Sequence, residues 1–192
     1  LRQFFDSIEE VLDPQIDLIL VDNNSADNSL KVISDFEKAH KDFGLKLIKN
    51  KKNLGFTGGN NRGIEYALQQ DYDYIMLLNN DVLVKNKFWQ PMINYLDQNN
   101  QVGLISPKIY FATGYETHKE NYQDNELGQV IWYAGGDINW ENINASHIGV
   151  DEVDEAQYDQ AVETDFATGC CMLAPKEIWQ EVGLLDDRYY LY

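Results

Sequence analysis

Ile16-Asp17-Leu18-Ile19-Leu20-Val21 is an apolar run of strand length, rich in branched residues, and Asp22-Asn23-Asn24-Ser25-Ala26-Asp27-Asn28 follows it directly as a polar, amide-rich turn. Leu30, Ile33 and Phe36 then recur at helical spacing, with Asp27 or Asn28 placed to cap that helix. Strand, polar turn and helix make the repeating unit of an α/β fold, in which a right-handed crossover returns the chain to a parallel neighbour. The unit recurs downstream. Residues 45–48 predict a second strand, residues 53–61 a glycine-rich loop, and Ile64, Ala67 and Leu68 a short helix. Residues 74–78 predict a third strand, ending in Asn79-Asn80-Asp81. Upstream, Leu1, Phe4, Phe5, Ile8, Val11 and Leu12 predict an amphipathic helix stopped at Asp13-Pro14.

Beyond the third strand, residues 88–96 read as a helix and 102–106 as a strand. Residues 110–165 then loosen into an irregular acidic excursion, too long for a plain loop and expected to hold short strands. Order returns at 171–174, with Pro175 at a helix start and Gly183 at its stop. The pattern predicts an α/β class: a Rossmann-like, mostly parallel sheet flanked by helices. The 192 residues suit one domain.

Composition narrows the function. Hydrophobic residues make up 44% and charged residues 24%, the profile of a packed globule rather than a disordered or fibrous chain. The net charge is −17, and residues 97–192 carry −14 of it. Such a surface repels polyphosphate, which argues against nucleic acid as a partner. Cys170 and Cys171 are adjacent and make no disulfide framework. With no secretory leader at the start, a reducing cytoplasm is expected. No apolar run reaches the ~20 residues of a membrane span, so any membrane association would be peripheral and use segments outside this sequence. The chain starts without Met, inside a helix, and stops at Tyr189-Tyr190-Leu191-Tyr192 with no polar tail. It reads as a piece of something longer.

In open α/β sheets, ligands bind beyond the carboxyl ends of the strands. Two of the three early strands end in acidic, amide-rich turns (22–24 and 79–81), and the strand between them leads into Asn53-Leu54-Gly55-Phe56-Thr57-Gly58-Gly59-Asn60-Asn61. Asp and Asn are also ordinary turn residues, but three such ends on one sheet edge favour a shared crevice. A carboxylate there can accept from a pyrimidine ring N–H, and glycine backbone can approach a flat base or ribose closely. Phosphates need positive charge, and cations are scarce apart from Arg62 and Lys85. Mg²⁺ or Mn²⁺ would supply it, bridging a carboxylate and substrate phosphates, with Asp81 the candidate ligand. There is no Walker-type lysine loop and no Gly-x-Gly-x-x-Gly at the first turn.

Four motifs in order give the sequence a recognisable likeness: 20–27 (Leu-Val-Asp-Asn-Asn-Ser-Ala-Asp), 53–64, Leu77-Leu78-Asn79-Asn80-Asp81, and 168–173 with 182–192. The chain resembles the family 2 inverting glycosyltransferases of GT-A fold, and its asparagine-rich middle looks most like the rhamnosyltransferase and galactofuranosyltransferase branch. The resemblance implies transfer of a sugar from a UDP- or dTDP-linked donor to a glycan or lipid-linked glycan acceptor in surface polysaccharide synthesis. By position, Asp22 would bind the pyrimidine base with Asn24 nearby. Asn53, Gly55, Gly58 and Asn61 would shape the nucleoside pocket. Asn79, Asn80 and Asp81 occupy the family's D-x-D, leaving Asp81 to face metal and diphosphate. Asn79 departs from that pattern, since an amide is a weaker metal ligand. The family's catalytic base, the Asp of an E-D pair, would follow Tyr192, and its first strand would precede Leu1.

Other residues have local readings. Gly135, Gly136, Trp132, Tyr133 and Trp140 form either an acceptor-side sugar platform or a hairpin with core aromatics. His40, His118 and His147 read as surface or capping residues, and the two cysteines as packing. Two other functions share parts of this pattern: a sugar nucleotidyltransferase, and a non-catalytic carbohydrate-binding module.

Overall fold

The structure is a computed structural model describing residues 1–190, so the last two residues of the fourth motif, 191 and 192, lie outside the described residues. The chain divides into two compact units. One gathers Leu1–Ile75, Leu83–Phe88 and the chain from Ala174 onward; the other gathers Met76–Val82 and Trp89–Leu173.

The first unit opens with helix α1 (Arg2–Glu9), then β1 (Leu18–Asp22), α2 (Ser29–Ala39), β2 (Leu45–Lys49) and α3 (Gly55–Leu68). Strands β1 and β2 pair in parallel from Leu18↔Leu45 to Asp22↔Lys49, as the crossover pattern requires. The apolar stripe of α1 meets that of α2: Phe5 stacks on Phe36 with ring centroids 4.3 Å apart, and Ile8 and Ile33 are buried. Helix α3 buries Ile64 and Ala67. Gly63 turns its bare face to β1, where a β-carbon would stand 3.3 Å from Val21 Cγ2.

Most of the predicted loop at 53–61, from Gly55 on, is instead the first half of α3. Glycine is a poor helix former, which is why the segment reads as a loop. Here the close approach to β1 and to the chain's later turns needs small residues, so packing overrides propensity. Asn53 assists by accepting the Gly55 N–H at 2.9 Å through Oδ1.

Strand β3 (Tyr74–Leu78), helix α4 (Trp89–Gln98), four short strands β4 (Ile109–Tyr110), β5 (Ile131–Tyr133), β6 (Gly136–Asn139) and β7 (Asn144–His147), then β8 (Cys171–Pro175) and α5 (Lys176–Val182) complete the order. Strands β3 and β8 are neighbours in one sheet. Asn79 N–H donates to Cys170 at one end and Lys176 N–H to Asp73 at the other, both at 2.9 Å, so the two run antiparallel. The predicted strand at 102–106 shrinks to a single bridge, Ile105 with Leu173, bonded both ways at 2.9 and 2.8 Å. Gly103 on one side and Pro107 on the other limit the pairing.

Within the acidic stretch, β4 pairs with β5, and β6 with β7 as a hairpin, both antiparallel. Its core is Val130 and Ile131, fully buried, with Tyr133 donating its hydroxyl to Phe166 O at 2.6 Å. Lys108 Nζ is held between Asp154 and Asp159 at 2.7 Å each. Among the described residues, no helix is long and apolar enough to cross a membrane.

Candidate functional site

In the first unit the candidate residues gather where β1 ends and α3 begins. Asp22 is the last residue of β1 and only 6% exposed. Both carboxylate oxygens face the Ser25 N–H at 3.3 and 3.4 Å, a long contact that, among the described residues, leaves most of the carboxylate's acceptor capacity unused. Asn24 is exposed and held at φ 69°, a conformation asparagine tolerates better than most residues.

The residue between them is the organiser, and sequence reasoning passed over it. Asn23 Nδ2 donates to Gly55 O at 2.9 Å, and its Oδ1 accepts from Asn50 Nδ2 at 2.8 Å. It thereby ties the end of β1 to the start of α3. The only signal was its place between two residues already singled out.

Just before α3, Asn53 is exposed and its oxygen accepts from the Gly55 N–H. Gly55 sits at φ 75°, where glycine alone is unstrained, and a β-carbon on it would overlap the carbonyl oxygen of Tyr190. A β-carbon on Gly58 would come within 2.8 Å of Leu54 Cβ. Asn61 is buried, and its amide is committed to the Leu185 backbone: Nδ2 donates to the carbonyl at 2.7 Å and Oδ1 accepts the N–H at 3.0 Å. Thr57, also buried and also missed, donates its hydroxyl to Tyr189 O.

In the second unit, Asn79-Asn80-Asp81 forms the turn after β3. Asn79 is half-buried and anchored by its N–H to Cys170, while Asn80 and Asp81 are exposed. Cys170 is a free thiol whose pKa burial, and then the Asp81 charge, push up to about 11. Cys171 is pushed up to about 12, by burial first and then by Cys170. Both are poor nucleophiles near neutral pH.

A divalent cation is compatible with this turn. Asp81 offers a hard, exposed carboxylate oxygen and the flanking amides offer neutral ones, the donor chemistry Mg²⁺ and Mn²⁺ prefer. Among the described residues no group of three or more His, Cys, Asp or Glu could hold an ion. A cation at Asp81 would therefore complete its shell with water and substrate phosphate, as Mg²⁺ commonly does.

The remaining candidates resolve locally. His40 pairs with Glu9 at 2.8 Å, and His147 Nδ1 lies 3.0 Å from Trp132 O with its ring edge-on to Trp132 and Tyr133. His118 precedes a short 3-10 turn at Lys119–Asn121. Tyr133 is core, whereas Trp140 is 73% exposed at the turn joining β6 and β7.

Residues 1–182 match the family described as "Glycosyl transferase family 2", and the chain belongs to that family. It is 22% identical over 181 residues to the low-salt glycan biosynthesis hexosyltransferase Agl10 of Haloferax volcanii, covering 92% of this chain and 50% of that protein. Among solved structures it resembles the mannosyltransferase PcManGT from Pyrobaculum calidifontis, in complex with GDP-Man and Mn²⁺, at TM-score 0.57 and 13% identity over 96% of this chain and 43% of that one. It also resembles GalNAc-T7 with UDP, GalNAc and Mn²⁺, at TM-score 0.64 and 14% identity over 97% and 34%. The fold is GT-A. The chain spans about half the length of Agl10 and less of the two solved proteins.

Proposed function

We propose that this chain binds a nucleotide-diphosphate sugar, UDP- or dTDP-linked, and serves its transfer with inversion to a glycan or lipid-linked glycan in surface polysaccharide synthesis. Rhamnose and galactofuranose are the donor sugars favoured by the asparagine-rich motif, and the cytoplasm, at the inner face of the membrane for a lipid-linked acceptor, is its place of work.

The observation that carries this reading is Asp22: a carboxylate buried at the end of β1, against one long backbone contact. A buried carboxylate needs a partner, and a pyrimidine ring N–H supplies a strong one. Asn24 and Asn53 border that end of the strand with exposed amides, while Gly55 makes room for Tyr190, Gly58 for Leu54, and Asn61 acts through the chain it holds. Asp81, with Asn79 and Asn80, takes the diphosphate's cation. That cation, when bound, offsets the charge developing on the leaving diphosphate. In the second unit Asp81 anchors it, and in the first unit Asp22 orients the base.

Calorimetry with UDP, dTDP and their sugars, with and without Mn²⁺, tests the reading. Nucleotide binding strengthened by Mn²⁺ is expected. Tighter binding of a nucleoside triphosphate with sugar phosphate would instead mark a nucleotidyltransferase, and sugar binding without nucleotide would mark a carbohydrate-binding module.

A further inference from the structure

Four contacts of the first turns of α3 point the same way, toward residues 185–190. Asn61 bonds the Leu185 backbone in both directions. Thr57 donates to Tyr189 O. Phe56 N–H donates to Tyr190 O at 2.7 Å. Gly55 lies so close that any β-carbon would strike Tyr190, whose ring Cδ2 is 2.5 Å from that position.

We propose that the stretch 55–61 is the receiving surface for residues 185–190, and that Asn61 and Thr57 are positioning residues for that segment rather than donor contacts. Both residues are only 8% exposed, and their polar side-chain atoms on this side are spent on the segment. The hydrogen bonds reach only backbone atoms of 185, 189 and 190. They therefore set the path of the segment while Tyr189 and Tyr190 remain exposed residues. The glycine at 55 has the same purpose: it opens the space the Tyr190 carbonyl occupies. An α-helix leaves its first N–H groups without internal partners, and at Phe56 that group is already satisfied by Tyr190, so it is not free for a phosphate. The assignment is independent of which donor the protein binds, or of whether it binds one.

Amide hydrogen exchange without nucleotide tests it. Thr57→Val removes the hydroxyl while nearly keeping the shape, and Asn61→Ser removes the two-way amide. In Thr57→Val the Phe56 amide should exchange roughly five- to ten-fold faster, and in Asn61→Ser the Leu185 amide likewise, with the amides of β1 and β2 unchanged. Thr57→Ser, which keeps the hydroxyl, should restore wild-type exchange. Should Asn61→Ser not fold, Thr57→Val and its serine control still decide the matter at Phe56. Unchanged exchange at Phe56 in Thr57→Val overturns the proposal, and a loss of UDP or dTDP affinity alongside it would return these residues to the donor. A protein that binds no nucleotide leaves this measurement intact, so failure of the donor reading is separately visible.

Discussion

The side-chain nitrogen of Asn23 lies 2.7 Å from where a β-carbon on Gly59 would stand. The same nitrogen donates to Gly55 O at 2.9 Å, so the end of β1 and the start of α3 interlock because Gly59 has no side chain. In an ordinary helix interior, Gly→Ala gains about 0.5–1 kcal/mol. Overpacking a filled space costs about 1–3 kcal/mol, and at this position the crowding wins. Gly59→Ala should lose roughly 1–2 kcal/mol and melt roughly 2–8 °C lower. A variant that melts higher would mean Asn23 can step aside.

Asn23→Ala should itself destabilise the protein. It strips Gly55 O and the Nδ2 of half-buried Asn50 of partners, and leaving such groups unpaired costs up to about 1–3 kcal/mol. Denaturant unfolding checks it. A change under about 0.3 kcal/mol would show that water replaces the amide at little cost.

How far these contacts could be read from the sequence depends on their range. β1, β3, α4 and β8 announce themselves through runs or helical spacing of apolar residues, because burial writes a local period. The start of α3 does not, since the reason for its glycines lies in β1 and in residues 185–190. Asn61 and Leu185 are 124 residues apart, and nothing local to either marks the other. The acidic turns at 22–24 and 79–81 stand out as pattern because Asp and Asn directly after an apolar run mark a strand end locally. The bracing role of Asn23 does not, because an amide that braces a turn and one that binds a ligand look alike in sequence.

Asp22→Asn should weaken pyrimidine nucleotides more than bare pyrophosphate. The carboxylate accepts strongly from a ring N–H, whereas an amide can present its own N–H₂ there. Losing a charge-assisted bond costs ~1.5–3 kcal/mol, or roughly 10- to 150-fold in affinity. Equal losses for nucleotide and pyrophosphate, read by calorimetry, would move Asp22 to the phosphates or the scaffold.

The buried thiol of Cys171 should make the protein weaker in alkali. Its ordinary pKa of 9.0 is pushed up to about 12, chiefly by burial. Below pH 9 the thiol is protonated whether the chain is folded or not, and its contribution is fully present. Above pH 9 the unfolded chain releases the proton while the folded chain keeps it, so stability falls by about 1.4 kcal/mol per pH unit until the folded thiol ionises. Urea unfolding of wild type and Cys171→Ala between pH 8 and 11 isolates this from the tyrosines, which also titrate there. The variant should show the shallower decline; parallel curves would show that Cys171 ionises as readily folded as unfolded.

Asp81→Ala should abolish the Mn²⁺ dependence of nucleotide binding while leaving the fold intact. Asp81 is exposed in the turn after β3, and substitutions at exposed surface positions usually change stability by less than about 0.5 kcal/mol. A lone carboxylate that holds a cation together with phosphate contributes only when both are present. Nucleotide affinity in Mn²⁺ should therefore drop to its metal-free level, and affinity without metal should hold steady or rise as a negative charge is removed. Cys170 provides a second reading from the same variant. Burial is the larger cause of its raised pKa and the Asp81 charge the smaller, so the thiol should titrate lower in Asp81→Ala yet still above an ordinary cysteine. Alkylation rate against pH reports that shift without any nucleotide. A Cys170 shift with unchanged Mn²⁺ dependence would place the cation elsewhere. Loss of both signals together with a lowered melting temperature would make Asp81 a structural residue.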